Sequence, residues 1–319
     1  MSRVHAVVIG RNEGARLSAC LASLDQIDGR LIYVDSGSTD GSVALAEAAG
    51  AEVVALDMDH PFTAARARNA GLDRLHDMSD ADLVQTVDGD CALRAGWIDT
   101  ASTFLRSHGD VAVVCGRRRE RAPEASIYNR MCDAEWDTPV GEAAACGGDA
   151  LFRLGAVRAV GGYRDDLIAG EEPELCVRLR AEGWRVWRLD AEMTWHDAAM
   201  TRFAQWWARS KRAGFAFAEG AALHGAPPER HWVAETRRAL IWGAALPAVV
   251  VITAAASLPV ALMLALVWPL QALRLSRRPG IGWERATFLM LGKFAEAQGA
   301  LAYYFGRLSG RRRGLIEYK

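Results

Sequence analysis

Three short polar clusters in the first 90 residues carry the residue types needed to handle a charged substrate. Asp88-Gly89-Asp90 sets two carboxylates on either side of a glycine. That spacing lets both reach one divalent cation, which in turn neutralises a diphosphate. Most such pairs are only turns or caps, so the tripeptide gains meaning from its place in the fold. Asp35-Ser36-Gly37-Ser38-Thr39-Asp40-Gly41-Ser42 reads first as a strand-to-helix turn, in which Asp40 or Ser42 caps unaided. Asp35 is not needed for that cap and is free to contact a nucleobase or ribose. Arg11-Asn12-Glu13 forms the third cluster.

The surrounding pattern says where these clusters lie. Val4–Ile9, Leu31–Val34, Glu52–Leu56, Leu83–Val87 and Val111–Cys115 are apolar runs of strand length. Between them Ala15–Leu24, Ser42–Ala49, Thr63–Leu75 and Ala95–Ser107 repeat apolar residues at helical spacing. This alternation predicts an α/β fold, a mostly parallel sheet with helices on both faces. Ligands of such sheets bind at the carboxyl ends of the strands, where all three clusters fall. Residues 117–200 are less regular, and a helix start is expected near Glu172-Pro173, with acids in its first turn.

Charge and hydropathy divide the chain. Residues 201–319 hold 17 basic and 6 acidic side chains, leaving 21 basic and 33 acidic ones to residues 1–200. An acidic front half suits a metal site, and a basic back half suits lipid headgroups; no nucleic-acid partner is expected. Residues 239–273 are an uncharged run of 35, bracketed by Arg237-Arg238 and by Arg274, Arg277 and Arg278. One helix of that length would span roughly 50 Å, beyond a hydrocarbon core of about 30 Å. A hairpin turning near Ser257-Leu258-Pro259, its arms of about 17 residues each, keeps both basic ends on the cytosolic side. The tail, residues 274–319, adds the amphipathic stretch Phe288–Leu308 and Arg311-Arg312-Arg313 for the inner leaflet. The six cysteines form no CxxC pair and read as reduced, buried thiols. No signal-peptide pattern precedes the Val4 strand, so the front half is expected in the cytosol, at the cytoplasmic face of the inner (plasma) membrane.

Taken together, the motifs resemble the family 2 glycosyltransferases, which have the GT-A fold. The matching residues are Val8-Ile9-Gly10-Arg11-Asn12-Glu13, the Asp35–Ser42 segment, Ala67-Arg68-Asn69-Ala70-Gly71 and Asp88-Gly89-Asp90. Gly170-Glu171-Glu172-Pro173-Glu174-Leu175 is similar to the family's GED-x-(D/E)-L segment, and Trp195-His196-Asp197 to its late histidine. The resemblance spans about residues 3–200 and implies a GT-A catalytic domain over 1–200. Connecting helices over 201–238, the hairpin over 239–273 and the basic tail over 274–319 complete the expected organisation. It further implies a nucleotide-sugar pocket of Arg11, Asn12, Glu13, Asp35, Gly37, Asn69 and Asp88, and Mg²⁺ or Mn²⁺ on Asp90 and Asp88 with His196 nearby. Glu172 stands where the family has its general base, usually Asp, with Glu171 as the second candidate. The acceptor site is expected within residues 117–150, with Trp136, Gly148 and Asp149 as its candidates.

The function so implied is metal-dependent, inverting transfer of one sugar to a hydroxyl of a lipid-linked or cell-envelope glycan acceptor. Gln205-Trp206-Trp207-Ala208-Arg209 is similar to the Q-x-x-R-W element of processive polysaccharide synthases but out of register, which favours single-sugar transfer. Two alternatives share the residues. A nucleotidyltransferase of related fold would want a Gly-rich, Lys-bearing loop after the first strand, which Gly10–Glu13 does not supply. A non-catalytic nucleotide-sugar-binding scaffold at the membrane would need no base at Glu172.

Overall fold

The computed structural model describes residues 2–310; Arg311-Arg312-Arg313 lie outside the described residues. The chain divides into two compact units, Met1–Thr201 and Arg202–Lys319. In the first, the order is β1 (Val4–Gly10), α1 (Ala15–Ala22), β2 (Leu31–Asp35), α2 (Ser42–Ala48), β3 (Glu52–Ala55), α3 (Ala64–Asp73) and β4 (Leu83–Asp88). There follow β5 (Cys91–Leu93), α4 (Trp97–Ser107), β6 (Val111–Glu120), α5 (Ile127–Glu135), β7 (Gly141–Ala143), β8 (Ala150–Arg153), α6 (Leu154–Ala159), α7 (Glu171–Ala181) and β9 (Arg185–His196).

These strands form one sheet in the order β3-β2-β1-β4-β8-β6-β9-β5, with β7 also beside β9. The first four are parallel. β1, VHAVVIG, is buried except at its last residue, as a β-branched strand between two helical layers must be. Beyond β4 the sheet is mixed: β8 runs antiparallel to both β4 and β6, while β6 and β9 pair in parallel. The parallel expectation therefore describes the β3–β4 half, and in the rest the long parallel pair β6–β9 is flanked by the short antiparallel strands β8, β5 and β7. Two antiparallel steps bring β6 and β9 back to the direction of β4, so their carboxyl ends open on the same edge. The core lies on both faces of these strands, with Val8, Ile32, Val84, Val113, Phe152 and Trp97 buried. Trp97 donates its indole N–H to the buried Gln85 Oε1 at 2.9 Å, so neither polar group is left unpaired.

The second unit is helical: α8 (Phe203–His224), α9 (Val233–Leu240), α10 (Leu246–Ala256), α11 (Leu258–Ala265), α12 (Val267–Ser276) and α13 (Trp283–Leu308). A π-helical turn, Ile241–Ala245, joins α9 to α10. Pro247 explains it, because proline cannot bond the carbonyl four residues back and its ring crowds that carbonyl. Pro269 breaks α11 from α12 for the same reason. Val233–Ala256 and Leu258–Ser276 are each long and apolar enough to cross a membrane, at 24 and 19 residues. The break between them falls at Ser257, but both arms outrun the expected length of about 17 because the arginines at 237, 238 and 274 lie inside helices. The amphipathic stretch 288–308 is part of α13. Glycines bring α13 against its neighbours: a Cβ on Gly299 would strike the Lys211 carbonyl of α8, and one on Gly243 the Lys293 carbonyl of α13.

Candidate active site

The ladders align the three polar clusters. Gly10 pairs with Asp35, and Ile9 with Asp88, so Arg11 just past β1 lies level with Asp35 and Asp88, the last residues of the neighbouring β2 and β4. Glu120 and His196 close β6 and β9 at the same edge and pair with each other across the ladder. Gly148 precedes antiparallel β8 and so arrives there too. Gly170, at φ 83°, takes the left-handed conformation that starts α7 and presents Glu171 and Glu172.

Arg68, on α3, organises the centre. It is 2% exposed, and its guanidinium pairs with Asp88 at 2.8 Å, Glu171 at 2.9 Å and Glu172 at 2.8 Å. Burial alone would lower the Arg68 pKa; Glu172, Asp88 and Glu171 outweigh it and raise it well above its usual value. Burial and then repulsion by Glu171 push the Glu172 carboxyl up to about 7, against the pull of Arg68. Gly148 passes directly over this group: a Cβ there would lie 2.5 Å from Arg68 Nη2, 3.0 Å from Asp88 Oδ2 and 3.1 Å from Glu172 Oε1. Asp149 is fully buried behind it, taking Arg118 at 2.7 Å and the Thr194 hydroxyl at 2.8 Å. Of the residues expected at an acceptor site, Gly148 therefore meets the carboxylates, whereas Asp149 serves to anchor Arg118, whose Nη2 also lies 3.5 Å from Asp88. Trp136 stacks its ring on Arg118, 5.5 Å from guanidinium to centroid, and stands edge-on to His196 at 4.7 Å.

Asp90 and His196 form a second focus. His196 Nε2 is 3.6 Å from Asp90 Oδ2, and Nδ1 is 3.5 Å from Glu120 Oε2. Nδ1 is buried and has no hydrogen-bond partner. Asp90, Cys91 and His196 each bring a ligand atom within 4.8 Å of the other two. Burial, and after it Asp149, pushes the Cys91 thiol well up, so this group offers one carboxylate and one imidazole rather than a soft thiolate. Those donors suit a hard divalent cation, and the orphaned imidazole nitrogen fits a ring whose other edge is a ligand.

The remaining expected residues hold the loops. Asn12, at φ 56°, accepts the Thr39 N–H at 2.8 Å, and its own N–H donates to Ser38 Oγ at 2.9 Å. Asp35 Oδ2 accepts the N–H groups of Gly37 and Ser38, and Gly37 supplies the φ of 80° that this turn needs. Glu13 pairs with Arg16 at 2.9 Å, and Arg11 is exposed beside it. Asn69 spends its amide on the Tyr163–Asp165 turn, donating to the Tyr163 carbonyl and Asp165 Oδ1 and accepting the Tyr163 N–H. No role was expected for Arg68, Arg118 or Glu120 by name, although Arg68 stands within the Ala67–Gly71 motif and the other two within residues 117–150. A cavity of about 460 Å³ lined by Leu24, Arg30 and Glu52 lies at the amino ends of β2 and β3 and contains none of these groups.

A mixed sheet with carboxylates gathered at its strand ends is the arrangement of a GT-A glycosyltransferase fold, and similarity agrees. A mannosyltransferase, PcManGT from Pyrobaculum calidifontis in complex with GDP-Man and Mn²⁺, matches with a TM-score of 0.64 at 20% identity, over 94% of this chain and 87% of that one. S. aureus TarS 1-349 in complex with UDP-GlcNAc matches with a TM-score of 0.52 at 12% identity, over 97% and 92%. Residues 6–144, within the first unit, match the model of glycosyl transferase family 2. An uncharacterized glycosyltransferase of Rickettsia felis is 43% identical over 54 residues, 17% of this chain and 19% of its own. A TPR repeat-containing protein of Synechococcus elongatus is 43% identical over 67 residues, 21% and 16%. The chain thus aligns with less than a fifth of the length of either curated relative.

Proposed function

We propose that this chain is an inverting glycosyltransferase moving one sugar from a nucleotide-sugar donor to a hydroxyl of a lipid-linked or cell-envelope glycan acceptor. The observation that carries the reading is Glu172. Its carboxyl, pushed up to about 7, stands beside Asp88 at the strand edge, where a base acting near neutral pH is wanted. Glu172 takes the acceptor hydroxyl's proton as that oxygen attacks the anomeric carbon, and the nucleoside diphosphate leaves from the opposite face with the bonding pair. Glu171, more deeply buried against Arg68, fixes that guanidinium and is the weaker candidate for the base. Arg11, Asn12, Glu13, Asp35, Gly37 and Asn69 frame the nucleotide pocket, mainly by shaping its loops.

Asp90 and His196, with Asp88 at hand, would hold Mg²⁺ or Mn²⁺, which when bound stabilises the charge on the leaving diphosphate. Gly148 and Trp136 border the acceptor side. The similar structures hold GDP-Man with Mn²⁺ and UDP-GlcNAc, which supports a nucleotide-sugar donor and a divalent metal. Two apolar helices and their flanking arginines support a place at the cytoplasmic face of the plasma membrane.

The decisive experiment is Glu172→Gln, which should lower kcat by about 10²–10⁴ while donor binding is retained. Turnover equal to wild type would remove Glu172 as the base, and donor binding without turnover in the wild-type chain would favour the non-catalytic scaffold. In parallel, Asp90→Ala should abolish Mn²⁺-dependent donor binding in calorimetry; an unchanged metal requirement would remove Asp90 from the metal site.

A further inference from the structure

His196 meets a carboxylate on each side, and the sheet itself puts it there. In the ladders His196 pairs with Cys91 on β5, next to Asp90, and with Glu120 on β6. The ring is 7% exposed, closed off by the edge of Trp136. Nε2 faces Asp90 Oδ2 at 3.6 Å and Nδ1 faces Glu120 Oε2 at 3.5 Å. A neutral imidazole has one proton for two such neighbours, and a bare ring nitrogen against a carboxylate is repulsive. A cation shared by Nε2 and Asp90 resolves one side, and a proton on Nδ1 resolves the other.

Glu120 is built for the second task. It is 1% exposed, and its oxygens accept the N–H groups of Ala122 and Ala198 and the Asn129 amide, which fix its rotamer. The separation from Nδ1 is a few tenths of an ångström beyond a good hydrogen bond, about 2.7–3.2 Å, and ring rotation covers that difference. Metal-ligating histidines commonly donate their second N–H to a carboxylate, which sets the tautomer and orients the ring.

We propose that Glu120 is a positioning residue for the metal site: it accepts the Nδ1 proton of His196 and so turns the Nε2 lone pair toward the cation that Asp90 shares. The proposal rests on Asp90 and His196 being metal ligands. Glu120 touches neither donor nor acceptor in this scheme and acts only through His196.

The test is a double-mutant cycle on Mn²⁺ affinity, measured by calorimetry on the full chain in detergent without donor. Glu120→Gln should weaken Mn²⁺ binding about 10–100-fold in the wild-type background. It should have little effect in a His196→Gln background, since the ring it orients is gone. Pulsed electron paramagnetic resonance should show imidazole nitrogen coupled to Mn²⁺ in wild type and a weakened or altered coupling in Glu120→Gln. Equal weakening in both backgrounds would mean that Glu120 merely supports the loops, and the proposal would fall. No weakening in either would overturn it as well. If Glu120→Gln does not fold, Glu120→Asp, which withdraws the oxygen by one methylene, carries the same cycle. Asp90→Asn separates the two ideas: if it binds Mn²⁺ as wild type does, the metal reading itself fails and takes this one with it. If Asp90→Asn loses binding while Glu120→Gln keeps it, only the role of Glu120 is lost.

Discussion

Arg68 answers three carboxylates with one guanidinium, so the cluster is two negative charges in excess when every acid is ionised. Such a group lowers its energy by keeping a proton, and burial with repulsion from Glu171 draws that proton toward Glu172. A base must be free of it. Activity should therefore be low in acid and rise with pH through about 7, the value to which Glu172 is pushed. A kcat/KM profile between pH 5 and 9 checks this, and a flat profile across neutrality excludes Glu172 as the titrating base. Stability runs the other way. The folded chain binds this proton more tightly than an unfolded carboxyl of usual pKa 4.5, so the contribution is full below 4.5 and lost as pH rises through about 7. The acids of this site were legible because they stand in short motifs with fixed offsets. Their counterions were not, since Arg68 reaches partners 20 and 103 residues away and Arg118 one 31 residues away. No local pattern announces a pair of that kind.

Elements show the same division. β1, β2 and β4 were legible as buried apolar runs separated by helical periods, because each lies between two layers, and the half-exposed edge strand β3 by its Val53-Val54 pair. β9, RVWRLDAEMTWH, has polar residues throughout, and β5 and β7 have only three residues each, so hydropathy could not reveal them. Yet these strands deliver His196 and Asp90, and the mixed half of the sheet completes the site. In the helical unit the informative residues are the glycines of α13. Gly299→Ala would drive its Cβ into the Lys211 carbonyl and to 2.6 Å from the Phe215 nitrogen. Backbone cannot yield as a side-chain tip can, so a loss at the upper end of about 1–3 kcal/mol is expected. Gly292→Ala is the control: its Cβ meets nothing closer than Glu296 Oε1 at 3.6 Å, and helix propensity should make it neutral or stabilising by up to about 1 kcal/mol. Thermal unfolding in detergent compares them; equal midpoints would argue against a close α8–α13 contact.

At the scale of the whole molecule, the uncharged run was legible by length, and the helix break at Ser257 by the serine and proline at its middle. What charge could not give was where the helices end, because arginines at a helix terminus extend their side chains toward water without stopping the backbone. The second unit exposes Val251 and Ile252 at 70% and 72%, unusual for a chain surrounded only by water.

The six buried thiols, Cys20, Cys91, Cys115, Cys132, Cys146 and Cys176, have a practical consequence for that surface. A folded protein with every thiol inside is chemically silent toward a water-soluble maleimide, so one introduced cysteine reports without background. Val251→Cys in native membranes should stay unlabelled while Glu47→Cys, on the exposed side of α2, labels readily. Equal labelling of both would place Val251 in water and remove the bilayer from the picture. The native cysteines thus make this chain its own blank for mapping, residue by residue, how deep each helix lies.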